Sequence, residues 1–133
     1  MQLGQLQEIE AELTAMGVKI VAIAPDKPEF VESTIARKEL AYEIYSDTNM
    51  SATQAFGLAW TMTPEGVAQY KTYGIDLEES SGEDHHMLPV PAVYIVGKNG
   101  KLEFSYVNPN HSIRINPDIV LAAAKVAANR NFD

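Results

Sequence analysis

The sequence contains no cysteine among its 133 residues. Disulfides, thiolate metal sites and thiol catalysis are therefore excluded within this chain as written. Basic residues are also scarce, since 10 Lys and Arg stand against 18 Asp and Glu and give a formal net charge of −8. Binding to a phosphate backbone needs clustered basic side chains, so we exclude a nucleic-acid partner.

Long apolar runs are missing as well. No run approaches the ~20 residues that cross a bilayer, so we expect no membrane partner. The opening segment from Met1 to Gln5 has neither the basic region nor the apolar core of a signal peptide, and we expect a cytoplasmic protein. A length of 133 residues with 46% hydrophobic and 21% charged residues is typical of a globular chain. We predict a single domain over residues 1–133.

The first part of the chain alternates between helical and strand patterns. A helix from the start of the chain is predicted by apolar residues three and four apart, which are Leu6, Ile9, Leu13 and Met16. Gly17 follows as a C-terminal cap, but the chain opens with Met-Gln-Leu, where Ser, Thr, Asp or Asn is expected as an N-cap. Val18 to Ile23 is almost continuously apolar, which predicts a strand covered on both faces.

The middle of the chain gives shorter signals. A second helix has Pro28 in its first turn, and its expected inward residues are Phe30, Val31, Thr34 and Ile35. A strand is predicted over Tyr42 to Tyr45 and a short helix over Ala52 to Phe56. Thr63 is a plausible start for another helix. Beyond it the pattern weakens, and residues 78–86 are interpreted as a loop.

The C-terminal third carries the strongest local signal. Val90 to Val107 predicts two strands joined by an Asn99-Gly100 turn. Asn116-Pro117 then caps a final helix over 118–129, whose expected inward residues are Ile119, Val120, Ala123 and Val126. The order of helices, strands and hairpin predicts an α/β fold with a mixed sheet flanked by helices.

Three segments together resemble the peroxiredoxin family, the alkyl hydroperoxide reductase and thiol-specific antioxidant group of the thioredoxin fold. They are VKIVAIAPDKPE (Val18 to Glu29), YSDTNMSATQAFGL (Tyr45 to Leu58) and LPVPAVYIVGKNGKLEFSYV (Leu88 to Val107). The closing NPNHSIRINPDIVLAAA is similar to the end of a peroxiredoxin-like subfamily. The resemblance implies a thioredoxin-like, peroxiredoxin-type fold.

The resemblance also implies roles for individual residues. Pro91 matches the cis-proline of thioredoxin folds, and Val90 before it would offer its amide and carbonyl to an extended substrate. Arg114 matches the arginine that precedes the last helix in the subfamily, as a supporting residue of the site. Asn108 and His111 stand where that subfamily tends to have Asp and Tyr.

The family's chemistry depends on a cysteine at the N-terminus of the first helix, where the helix dipole favours the thiolate that attacks a peroxide. By the resemblance, this cysteine and the central strand leading to it would lie before Met1. We therefore expect an N-terminally incomplete domain that is inactive alone and that exposes sheet edges, with homo-oligomers as one outcome. The implied partners are a hydroperoxide and a thioredoxin-like thiol reductant, with no cofactor.

Two interpretations of the missing cysteine remain open. The chain is part of a peroxiredoxin-like thiol oxidoreductase whose cysteine lies upstream, or it is a cysteine-free relative that uses the scaffold to bind peptides or proteins.

A metal site at His85 and His86 is not predicted, because adjacent histidines point in different directions on a strand or a helix.

Overall fold

A computed structural model describes residues 2–130. Its helices are α1 (Gln2–Ala15), α2 (Pro28–Lys38), α3 (Ser51–Ala55), α4 (Pro64–Thr72), α5 (Leu77–Ser81) and α6 (Pro117–Ala128). Its strands are β1 (Val21–Ala24), β2 (Glu43–Ser46), β3 (Ala59–Thr61), β4 (Met87–Pro89), β5 (Ala92–Val96) and β6 (Leu102–Val107). No helix within residues 2–130 is long and apolar enough to span a bilayer.

The described strands pair two by two. β1 is next to β2, β3 is antiparallel to β4, and β5 is antiparallel to β6. The hairpin of β5 and β6 is the one predicted from the Asn99-Gly100 turn, where Gly100 has a φ of 77°. The predicted α/β class, with sheets flanked by helices, is confirmed.

The chain folds into two compact units. The first takes its described residues from the segments 1–21, 40–43 and 91–133, and the second from 22–39 and 44–90. The single domain expected over residues 1–133 stays a prediction.

The core of the first unit lies between α1, α6 and the hairpin. Its buried residues are Ile9, Leu13, Ile95, Ile115, Val120, Leu121 and Ala124. As predicted, α1 buries its apolar face and is followed by Gly17 in a left-handed conformation. The inward face predicted for α6 is partly wrong, because Ile119 and Val126 are 53% and 60% exposed. This helix is apolar on two flanks, and the neighbouring core covers only one of them.

The beginning of α1 is tied to the segment before β2. The Tyr42 hydroxyl donates to the Leu3 carbonyl at 2.6 Å, and the Ala41 amide donates to Gln7 Oε1 at 2.9 Å. Burial raises the pKa of Tyr42 to about 12, so this hydroxyl keeps its proton at neutral pH. The expectation of an uncapped helix start concerns Met1, which lies outside the described residues.

The strand β1 differs from its prediction in burial. Val21 is 49% exposed and Ile23 is 47% exposed, whereas Ala22 and Ala24 are half-buried. The prediction of a strand covered on both faces is therefore wrong for these positions. Alternate side chains of a strand point to opposite faces, and here one face stays open.

In the second unit, α2 begins at Pro28 as predicted, but Phe30 is 40% exposed and Val31 is its buried residue.

The strands β3 and β4 and the helix α5 were not predicted. Three-residue strands are too short to show a period. The loop predicted over 78–86 begins instead inside α5, which Asp76 caps by accepting bonds from the Glu78 and Glu79 amides.

Candidate functional site

The peptide bond before Pro91 is trans, since no cis bond occurs within residues 2–130. The expected cis-proline is therefore wrong. The trans form is the intrinsically favoured one, and here the Pro91 carbonyl accepts a 3.2 Å bond from the Asn108 amide beside the hairpin.

Val90 continues the edge of a small sheet. Its amide donates to the Leu58 carbonyl at 2.8 Å, which extends the β3 and β4 pair by one bond. In this arrangement the Val90 amide has a partner within the chain, so an extended substrate has to displace that bond to use it. Val90 belongs to the second unit and Pro91 to the first.

Arg114 lies in a loop whose backbone is stabilised by hydrogen bonds to the side chains of other residues in the loop. Asn108 Oδ1 accepts from the Asn110 amide at 2.9 Å, and Asn110 Oδ1 accepts from the Ser112 amide at 3.1 Å. Ile115 is 5% exposed and anchors the loop in the core. Two consecutive turns in which an asparagine side chain accepts from a backbone amide, together with one buried anchor, stabilise the loop.

The guanidinium of Arg114 is exposed and folds back on this loop. Its Nη1 donates to the carbonyl oxygens of His111 and Ile113. Among the ion pairs of residues 2–130, none includes Arg114. A guanidinium has five N–H donors in a planar fork, so donors on Nη2 and Nε remain for a ligand.

An open cleft of about 550 Å³ lies beside this loop in the first unit. Its lining residues are Gln5, His111, Ser112, Arg114, Ile115, Asn116 and Pro117. Of the site residues expected from the sequence, Arg114 lines this cleft, whereas Val90 and Pro91 do not. Sequence reasoning missed Gln5 and Ser112, because a cleft between a helix and a distant loop leaves no local pattern.

His85 and His86 are half-buried and hydrogen-bonded, in contrast to the predicted solvated loop. His85 Nε2 lies 2.7 Å from the Thr48 carbonyl oxygen, while its Nδ1 accepts from the Met87 amide at 2.9 Å. His86 Nε2 lies 2.7 Å from Glu78 Oε1. The two rings thus bind different partners, and no group of three metal-ligating side chains occurs in the described part of the chain.

Asp47 is the carboxylate with the most hydrogen bonds in the second unit. It is 7% exposed and accepts from the Ala52 amide, the Thr53 amide and hydroxyl, and the Ser51 hydroxyl. Burial alone raises its pKa, but these hydrogen bonds outweigh burial and hold the pKa of Asp47 below its usual value. Its bonds go to the first turn of α3, so it is a helix cap.

A family model described as AhpC/TSA matches residues 1–105 of this sequence. The chain belongs to the AhpC/TSA family. The match includes the hairpin strands up to Ser105 and ends before the loop that carries Arg114. The match therefore covers the elements from α1 to most of β6, whereas the cleft loop and α6 lie beyond the matched residues. No curated protein sequence matches the chain at a significant level.

Solved structures of peroxiredoxins share the fold. The bacterioferritin comigratory protein of Xanthomonas campestris, studied for alkyl peroxide reduction, has a TM-score of 0.71 at 15% identity, over 96% of this chain and 69% of that one. Reduced Prx3 of Vibrio vulnificus in complex with hydrogen peroxide has a TM-score of 0.70 at 17% identity, over 96% and 69%. Enterococcus faecalis AhpC has a TM-score of 0.62 at 18% identity, over 95% and 65%. The predicted peroxiredoxin-type fold is confirmed.

Proposed function

We propose that this chain forms part of a peroxiredoxin-like thiol oxidoreductase that reduces hydroperoxides, with a reactive cysteine ahead of residue 1. The observation that carries the proposal is the AhpC/TSA match over residues 1–105. Because the sequence has no cysteine, thiol chemistry requires a sulfur from outside it. The 133 residues alone are then inactive.

The proposed reaction is a displacement at the peroxide bond. The thiolate sulfur attacks one oxygen of the O–O bond, which breaks, and the other oxygen leaves with a proton as an alcohol or water. The cysteine becomes a sulfenic acid. A thioredoxin-like dithiol then supplies two electrons and two protons, which returns the thiol and releases water. The cytoplasm keeps such reductants available, and we place the protein there.

The helix α1 suits a thiolate at its beginning. It has 14 residues and no acidic residue in its first turn, so no carboxylate of that turn opposes a negative charge there. The N-terminus of a helix carries a partial positive charge that stabilises an anion. A cysteine just ahead of α1 would therefore have a lowered pKa.

Exposed apolar positions on the strands also support the proposal. Val21 on β1 is 49% exposed, and on the hairpin Val96 and Leu102 are 58% and 54% exposed. These β-branched and aliphatic side chains suit a covered sheet. An additional strand of the kind expected in a complete peroxiredoxin would cover apolar strand surface of this type.

The test is the reading frame upstream of residue 1 and the protein that it encodes. We expect a cysteine in the turn ahead of α1, and we expect the extended protein to consume hydrogen peroxide or an alkyl hydroperoxide only with a thiol reductant. Replacing that cysteine with serine should abolish turnover while leaving the circular dichroism spectrum unchanged. The 133-residue chain is the matched control without turnover.

Two results would refute the proposal. One is an upstream frame without a cysteine in that turn, and the other is an extended, folded protein that has the cysteine but no thiol-dependent peroxidase activity. A cysteine-free frame would favour the alternative, a protein that uses the scaffold for binding.

A further inference from the structure

We infer that the cleft beside the loop of Arg114 is an oxyanion-binding site for a small carboxylate or phosphate. This inference concerns residues of the 133-residue chain alone and does not depend on a cysteine. The site is the cleft defined above, between Gln5 of α1 and residues 111–117.

The charge of the lining is the first argument. The chain carries 18 acidic against 10 basic residues, yet among residues 2–130 no carboxylate is one of the side chains that line this cleft. The polar side chains of the described lining residues are one arginine, one histidine, one serine and two side-chain amides. In a protein of this composition, a concave surface with a cation and no acidic side chain favours an anionic ligand.

The state of Arg114 is the second argument. In the same unit, Lys19, Lys125 and Arg130 pair with carboxylates, whereas Lys98, Lys101 and Arg114 are in none of the ion pairs of residues 2–130. Arg114 instead has only carbonyl oxygens as partners among the described residues, and these bonds use Nη1. Its remaining N–H groups match the two oxygens of a carboxylate or phosphate, a pairing that is shorter and stronger than a neutral hydrogen bond.

The rigidity of the loop is the third argument. The Asn108 and Asn110 turns and the buried Ile115 stabilise the loop before and after Arg114. The carbonyl groups that accept from Nη1 belong to the same loop. A ligand therefore meets a prearranged donor group and pays less ordering entropy on binding.

The amides at the beginning of α6 do not contribute to this site. The Asn116 side chain already accepts from the Asp118 amide, and the Ile119 and Val120 amides donate to the Asn116 carbonyl. The binding group is thus the arginine, with the Ser112 hydroxyl and the Gln5 amide as neighbouring donors. With a single exposed cation as its main element, we expect weak affinity in the millimolar range.

The experiment is a ¹H–¹⁵N NMR titration of the 133-residue chain at constant ionic strength. The probes are sodium phosphate and sodium citrate in separate arms, with sodium chloride as the reference salt. We expect saturable shifts at the amides of Gln5 and residues 111–116, with little change elsewhere. Tighter binding of one probe identifies the preferred oxyanion.

Arg114→Gln should weaken binding of the preferred probe by about tenfold. Arg114→Lys keeps the positive charge but loses the planar guanidinium that can bind two oxygens at once. This variant should bind with intermediate affinity. Arg37→Gln is the matched control, because Arg37 is an exposed arginine on α2 in the other unit, and it should bind like the original chain. The spectrum of each variant without ligand reports whether it is folded.

The inference is overturned if neither probe gives saturable shifts at these amides, or if folded Arg114→Gln binds as tightly as the original chain. If Arg37→Gln weakened binding of the probe as much as Arg114→Gln, the inference would also be overturned, because that result would show a general effect of charge. If Arg114→Gln does not fold, Arg114→Lys replaces it in the test. A folded Arg114→Lys variant that binds the probe as tightly as the original chain would then overturn the inference.

Discussion

At the scale of single residues, Asp47 shows how one buried carboxylate starts a short helix. A five-residue helix such as α3 has little intrinsic stability, and its first amides need acceptors from outside the helix. Asp47 provides both carboxylate oxygens, at 3.1 Å from the Ala52 amide and 2.9 Å from the Thr53 amide. The ionised carboxylate is therefore part of the folded state.

Asp47→Ala should lower the free energy of unfolding by about 2 kcal/mol, because several buried donors lose their acceptor. Asp47→Asn keeps one oxygen and should cost about half as much. Urea unfolding followed by circular dichroism measures both changes. The control is Asp84→Ala, at an exposed aspartate of the same unit, which should stay within about 0.5 kcal/mol.

The same bonds predict an acid dependence. The pKa of Asp47 is lowered in the folded chain, so its contribution is present above the ordinary aspartate pKa and is lost as the pH falls through the lowered value. Asp47→Asn cannot titrate and should lose less stability on acidification than the original chain. Identical slopes of stability against pH for the two proteins would contradict this assignment.

At the scale of elements, the hairpin contains a β-bulge that turns a charged residue inward. Ile95 pairs with Phe104 and Val96 pairs with Leu102, so Glu103 is the extra residue of β6. The side chain of Glu103 is only 6% exposed. It lies against Gly97, where an added Cβ would come within 3.1 Å of Glu103 Oε1. The absence of a side chain at Gly97 makes room for this carboxylate.

Arg130, just beyond α6, supplies the opposite charge. Its Nη1 lies 2.9 Å from Glu103 Oε2, but this oxygen accepts no well-aligned hydrogen bond. The contact is therefore an ion pair in which the carboxylate is buried and the guanidinium is 56% exposed. Removing the cation leaves a buried charge without compensation, which costs more than the pair itself contributes.

Arg130→Gln should lower the free energy of unfolding by about 1 kcal/mol, a value reduced because the arginine is half exposed. In the double variant with Glu103→Gln, the loss should be smaller than the sum of the single losses. The matched control is Lys125→Gln with Glu12→Gln, an exposed pair at 3.8 Å, whose coupling should be near zero. Additive losses at Glu103 and Arg130 would contradict the ion pair.

The sequence predicts those elements whose signals are local. Gly17, Thr63 and Asn116 mark helix ends by their own conformation or side-chain chemistry, and each does so in the structure. The exposed Ile119 on α6 was not predictable, because periodicity shows that a flank is apolar but not which element covers it. The same holds for the cleft, since Gln5 and Arg114 are distant in sequence and meet only through the fold.

At the scale of the whole molecule, exposed apolar strand positions and the net charge have opposite effects on association between chains. Val96 and Leu102 are paired neighbours on the hairpin and are both more than half exposed. Ile23 on β1 is 47% exposed. Apolar strand surface of this kind promotes association between chains, whereas a net charge of −8 opposes it at low ionic strength.

We therefore expect the 133-residue chain to form homo-oligomers in a way that depends on concentration and salt. Added salt screens the repulsion between acidic chains within a Debye length of about 10 Å at 0.1 M, so the average mass from sedimentation should rise with both protein and salt. The variant Val96→Lys with Leu102→Lys should reduce association, because it places two charges on the exposed hairpin pair. Val126→Lys, at an exposed position on α6, serves as the control and should change it less. A monomer at every concentration and salt level, or equal effects of both variants, would show that the strand surface does not drive association.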